Sequence, residues 1–216
     1  MTLKDISAAI FDIDGTLLGS SPVWYDLGER FLKSRGVVPK PGLAEILAEM
    51  TLPESSRYLL KNYPLTDTPE GVQRALMHII SEFYRSECPL KPGAAEFVTA
   101  LHSRGVTMVL ATAGDKELSC AALERLGLLQ MFSGIVTCDE FGSKSRPEIF
   151  LAAAGAAGFR PEKCAVFEDS LTAVLTAKAA GFLTAAVRDV SEPQQVKLRH
   201  AADMYRSDLS GYLGDI

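Results

Sequence analysis

The chain has 216 residues, 47 % hydrophobic and 23 % charged, with 22 basic against 27 acidic side chains and a net charge of −5. That is enough for one large domain, or one domain carrying a smaller insert, around a full core. The balance excludes a basic nucleic-acid surface, and no like-charge block offers a tail for anionic lipid.

The start, Met1-Thr2-Leu3-Lys4-Asp5, runs directly into a strand. It lacks a basic segment followed by an apolar stretch and a small-residue cleavage site, so no signal peptide is expected. No apolar run approaches the roughly 18 residues of a membrane span. Cys88, Cys120, Cys138 and Cys164 are scattered without a CxxC pair. They read as buried, reduced thiols in a cytoplasmic protein.

In chain order, an apolar run from Ser7 reaches Ile10-Phe11 and then meets Asp12-Ile13-Asp14-Gly15-Thr16. Residues 18–88 carry only helix signals. Ser21-Pro22 starts one, with Val23, Leu27 and Phe31 at four-residue spacing and Gly36 after it. Leu43, Ile46, Leu47 and Met50 form a second stripe, and a weaker helix is predicted over 53–62. Thr68-Pro69 opens another, with Val72, Leu76, Ile79, Ile80 and Phe83 on one face.

From Lys91 onward helix and strand alternate. Helices are predicted over 92–104, from Asp115 to Gly127, over 147–157, and from Ser170, read as a cap, to Gly181. Strands are predicted at 106–112, 135–138, 164–167 and 183–187. This order predicts an α/β fold: a Rossmann-like parallel sheet of about five strands covered by helices, with an all-helical cap domain inserted. The expected division is a core of 1–17 and 89–216 and a cap of 18–88. The three histidines have no metal spacing and read as structural or surface residues. Trp24 reads as core or as an apolar wall under the cap.

Catalytic groups of a parallel sheet gather at the carboxyl ends of its strands. Those ends carry Asp12, Asp14, Gly15 and Thr16, then Thr112, Ala113 and Gly114, then Glu168, Asp169 and Ser170. Lys144 lies in the loop after the third predicted strand. Asp12 and Asp14 share a parity, so an extended chain points both the same way. A buried carboxylate pair needs a partner or a metal. Singly, Asp14-Gly15 is also an ordinary turn, Thr112 an ordinary strand residue and Lys144 a solvated lysine. Together they suit a phosphate held beside Mg²⁺.

In these residues the chain resembles the haloacid dehalogenase superfamily of phosphohydrolases. Its DxDGT motif stands at 12–16, its strand-end Thr at Thr112, its lysine at Lys144 with Pro147-Glu148-Ile149-Phe150 downstream, and its acidic pair at Glu168-Asp169. The resemblance implies a phosphatase of small phosphorylated metabolites working through an aspartyl-phosphate on Asp12. Asp14 would be its general acid and base. Asp12, the Asp14 carbonyl and Asp169 would hold Mg²⁺. Thr112 and Lys144, with N–H groups near Asp14, Gly15 and Ala113, would bind the phosphoryl group, and Thr16 and Glu168 would support them.

A dehalogenase is disfavoured because Asp14 is present. A β-phosphoglucomutase-like mutase is the nearer alternative. Those enzymes usually carry a histidine ten residues after the second aspartate, where Trp24 stands, and a linker "DS", where Gly19-Ser20 stands. A non-catalytic metal or phosphate binder is the remaining reading. Substrate choice is assigned to the cap, with Trp24, Arg57 and Lys61 as candidates. Neither nucleic acid nor membrane is an expected partner, and a monomer or weak dimer is expected.

Overall fold

The computed structural model describes residues 2–48 and 50–216. The chain divides into two compact units, one formed by the segment through Gly19 with Pro89–Ile216, the other by Ser20–Cys88.

The first unit is a parallel sheet of six strands: β1 (Ala8–Phe11), β2 (Thr107–Thr112), β3 (Gly134–Thr137), β4 (Cys164–Glu168), β5 (Leu183–Val187) and β6 (Met204–Arg206). The order is β3-β2-β1-β4-β5-β6. The chain leaves β1 towards β2 and β3 on one side, then returns to β4 on the other. That reversal opens a crevice at the carboxyl end of β1. β6 exceeds the five strands expected. It is three half-buried residues at the sheet edge, too short to show alternation.

Alternate residues of β1 serve opposite layers. Ala8 and Ile10 pack with Val109, Val166, Ile149 and Phe150. On the other face Phe11 stacks on Phe167 at 4.5 Å between ring centroids. Phe97 meets Phe167 edge-on at 5.2 Å, and Tyr212 closes the group 5.7 Å from Phe167. The Tyr212 hydroxyl donates to the Ala186 carbonyl at 2.6 Å.

The second unit holds α1 (Ser21–Ser34), α2 (Leu43–Ala48), α3 (Leu52–Asn62) and α4 (Pro69–Glu82), followed by a π-helical turn, Phe83–Glu87. Val23, Leu27 and Phe31 are buried, as are Leu59, Val72, Leu76 and Ile80, so the apolar stripes form the core of this unit. Thr51 and Thr68 accept hydrogen bonds from the first turns of α3 and α4. Trp24 is not core. It is 50 % exposed, and its indole N–H donates to the Tyr84 hydroxyl at 3.4 Å. Ile46 is exposed too. No helix among the described residues is long and apolar enough to cross a membrane. All four cysteines are free; Cys88 and Cys164 are buried, whereas Cys120 and Cys138 are half-buried.

The aromatic layer predicts two sizes of defect. Phe97→Ala removes a fully buried ring and is expected to cost about 3–5 kcal/mol. Tyr212→Phe removes a hydroxyl shared between the Ala186 and Met204 carbonyls, with almost no loss of volume, and is expected to cost about 1 kcal/mol. Urea unfolding of both variants checks this, and equal losses would contradict it.

Candidate active site

Past Phe11 the ladder continues for one bond, with the Asp12 N–H donating to the Phe167 carbonyl at 3.0 Å. The chain then turns back on itself: the N–H groups of Leu17 and Leu18 both reach the Ile13 carbonyl, at 2.9 and 2.8 Å. This turn holds Asp12 over the strand end, 6 % exposed.

Asp12, Asp14, Thr112, Lys144, Glu168 and Asp169 line one cavity of about 530 Å³, with Ala113 and Gly114 in its wall. Four distant segments therefore converge on one space. The Lys144 ammonium donates to Asp12 Oδ1 and, at 2.6 Å, to Glu168 Oε1. Burial favours the neutral amine, but the two carboxylates outweigh it and hold Lys144 protonated, above its usual range. Glu168 is 1 % exposed. Its Oε2 accepts the N–H groups of Asp169 and Ser170, both at 3.1 Å. It thereby fixes the lysine and the backbone of its neighbour together.

Asp169 is compensated differently. Among the described residues its oxygens accept only hydroxyls, from Thr16 at 3.5 Å and Ser191 at 3.3 Å. Burial, then the charges of Asp12, Glu168 and Asp189, push it up to about 9. Asp12 Oδ2 is buried without a hydrogen-bond partner among the described residues. Carboxylate oxygens of Asp12, Glu168 and Asp169 lie within 4.8 Å of one another. An orphaned oxygen beside a carboxyl that burial protonates is what a hard divalent cation would satisfy. Asp12 and Asp169 fit that ion; Glu168 is already committed to Lys144.

Two glycines make the approach possible. A Cβ on Gly114 would stand 2.6 Å from Asp14 Oδ2 and 3.3 Å from Thr112 Oγ1. The Gly114 N–H donates to that hydroxyl at 2.9 Å. Gly15, with φ +88°, lies so close under Asp169 that a Cβ would collide with its carboxylate. The Gly15 N–H donates to the Leu18 carbonyl at 2.9 Å, so it is not the free phosphate donor that the sequence suggested. Its contribution is room for Asp169.

Ser170 also differs from expectation. It occupies the cap position of the helix Leu171–Ala179, but its hydroxyl makes no capping bond. Glu192 accepts the Leu171 N–H instead, at 2.9 Å. Asp115 does cap its helix, accepting from Leu118 at 2.9 Å. Sequence reasoning missed Ser143 and Cys138 in the cavity wall, and Ser119, buried with an unpartnered hydroxyl among the described residues. Ser143 lies in a loop, and Cys138 and Ser119 are single small residues within helices, so nothing periodic in the sequence marked them. Trp24, Arg57 and Lys61 belong to the helical unit, where Arg57 and Lys61 are exposed one turn apart on α3.

Residues 6–181 match the family profile of the haloacid dehalogenase-like hydrolases. The chain is 27 % identical over 177 residues to a phosphorylated carbohydrates phosphatase of Thermotoga maritima, covering 82 % of each. It is 26 % identical to hexitol phosphatase B of Escherichia coli, over 97 % of this chain and 99 % of that one. Among solved structures it superposes on a candidate β-phosphoglucomutase from Thermotoga maritima with TM-score 0.86, at 25 % identity over 97 % of both chains.

An acid whose pKa rises on folding holds its proton more tightly in the folded state, so deprotonating conditions destabilise that state. With Asp169 raised to about 9, metal-free protein is expected to melt lower as pH rises from the usual carboxylate range towards 9. Asp169→Asn is expected to flatten that fall. A divalent cation competes with the proton, so Mg²⁺ is expected to raise the melting temperature more at about pH 8.5 than at about pH 5.5. Melting curves read both effects. An equal Mg²⁺ shift at the two pH values contradicts this account.

Proposed function

The chain belongs to the haloacid dehalogenase-like hydrolases, and on that premise we propose that it is a Mg²⁺-dependent phosphatase of small phosphorylated metabolites, such as sugar phosphates. The observation that carries the reading is Asp12: a carboxylate at the crevice of the sheet, with one oxygen on Lys144 and the other without a partner among the described residues.

Asp12 is the nucleophile. One of its oxygens forms a bond to phosphorus as the bond to the leaving oxygen breaks, giving an aspartyl-phosphate. Asp14, whose Oδ2 lies beside Gly114, donates a proton to the leaving oxygen. In the second step Asp14 takes a proton from water, which attacks phosphorus and releases phosphate and free Asp12. Lys144 and Thr112 bind phosphoryl oxygens, and Lys144 also offsets the repulsion between two anions. Ala113 offers its N–H to the same group. Asp12, the Asp14 carbonyl and Asp169 would hold Mg²⁺. That ion, when bound, neutralises charge on the phosphoryl group. Thr16 orients Asp169, and Glu168 orients Lys144.

The mutase alternative has one supporting observation, the superposition on the candidate β-phosphoglucomutase. Two named phosphatases among the relatives and Trp24 in place of a histidine support hydrolysis instead. Trp24, Arg57 and Lys61 are the proposed specificity residues.

Asp12→Asn is expected to abolish hydrolysis of p-nitrophenyl phosphate with Mg²⁺ while the protein still melts cooperatively. Asp14→Asn is expected to lower turnover of alkyl phosphates about 10²–10⁴-fold. Near-wild-type rates in the first variant, or a loss below about threefold in the second, contradict these roles. With β-glucose 1-phosphate and catalytic glucose 1,6-bisphosphate, any product is expected to include inorganic phosphate. Steady formation of glucose 6-phosphate without matching phosphate would instead make the protein a mutase.

A further inference from the structure

Asp189 is a further carboxylate beside the site. It is 6 % exposed, and a Cβ on Gly15 would lie 3.2 Å from its Cγ, next to Asp169. A fourth buried acid there would repel the other three unless it had its own counter-charge. Lys91 supplies that charge. Its ammonium reaches Asp189 Oδ2 at 2.6 Å and the Arg188 carbonyl at 2.9 Å. The Lys91 N–H is itself tied to the Leu17 carbonyl at 2.8 Å, in the turn that follows the catalytic motif.

The loop after β5 passes this anchorage to Asp169. Asp189 Oδ1 accepts the Ser191 N–H at 3.0 Å, and the Ser191 hydroxyl donates to Asp169 Oδ2 at 3.3 Å. Gln195 closes the same loop by donating to the Asp189 and Glu192 carbonyls at 2.5 and 3.1 Å. Each lysine thus has its own carboxylates: Lys144 takes Asp12 and Glu168, and Lys91 takes Asp189. Among the described residues Asp169 receives hydroxyls and no ammonium, which leaves its carboxyl available to a cation.

We propose that Lys91, Asp189 and Ser191 are positioning residues that set the Mg²⁺ affinity of Asp169, an inference that rests on the metal site proposed above. Partners of a ligating carboxylate typically change metal affinity about 10–100-fold when removed. Lys91→Met alone leaves a buried charge unpaired and risks the fold, so the informative variants are Lys91→Met/Asp189→Asn, which removes both charges, and Ser191→Ala, which removes one hydroxyl. Calorimetric titration of metal-free protein with Mg²⁺ is expected to show Kd raised about tenfold or more in each, with the melting temperature of the metal-free protein unchanged. A Kd within about twofold of wild type in both variants overturns the proposal while leaving the metal site standing. A weaker Kd found only with a lowered metal-free melting temperature makes the residues structural and overturns it as well. No Mg²⁺ binding by the wild type overturns the metal site and this inference together.

Discussion

The ion pair between Lys144 and the two carboxylates of Asp12 and Glu168 is the interaction on which the site depends. All three groups are nearly excluded from water. Removing one partner of such a cluster leaves an uncompensated buried charge, a penalty of about 3–5 kcal/mol. The lysine therefore does two things at once. It makes a buried nucleophile tolerable in the resting protein, and it leaves a positive charge where an anionic phosphoryl group must arrive. One cation cannot neutralise every acid present. The Asp12 oxygen with no partner among the described residues, and the Asp169 carboxyl that burial holds protonated, are what a divalent ion would engage.

The fold makes this cluster possible by topology. Because β1 has β2 on one side and β4 on the other, partners such as Ala8 with Thr107 and Ala8 with Cys164, far apart in the chain, become neighbours within one strand spacing. Phe11 and Phe167, stacked below, fix the strand ends from which Asp12 and Glu168 emerge. The chain then changes from regular strand to tight turn at Asp12, and it is there that backbone geometry becomes specific. Gly15 and Gly114 are small because carboxylates occupy the space where a Cβ would stand.

Legibility in the sequence followed physical kind. Buried strands were readable because runs such as Val106–Thr112 contain no charged residue, and the helices of the insert because their apolar residues recur on one face. Asp12-Ile13-Asp14-Gly15-Thr16 stood out because carboxylates at the end of an apolar strand are costly without a purpose. What stayed hidden was long-range or non-periodic. β6 is defined by pairing with β5, not by its own pattern. The Gly15 N–H is consumed by a carbonyl three residues on, which composition cannot reveal. Glu192 caps a helix 21 positions earlier, displacing the local candidate Ser170. Lys91 and Asp189, 98 positions apart, look like two solvated charges until the sheet brings them together. Of the two readings of Trp24, the core one fails, because its ring lies half in solvent beside the buried stripe of Val23, Leu27 and Phe31.

The central claim is that phosphorus is transferred to Asp12. Rapid quenching during turnover of a phosphomonoester with Mg²⁺, followed by borohydride reduction and peptide mapping, tests it most directly, because an acyl phosphate is reduced to the alcohol and an unmodified carboxylate is not. The account predicts homoserine at position 12, dependent on both substrate and Mg²⁺. Reduction at another residue, or none at any residue in protein quenched where the phosphoenzyme must accumulate, such as Asp14→Asn with p-nitrophenyl phosphate, would contradict it.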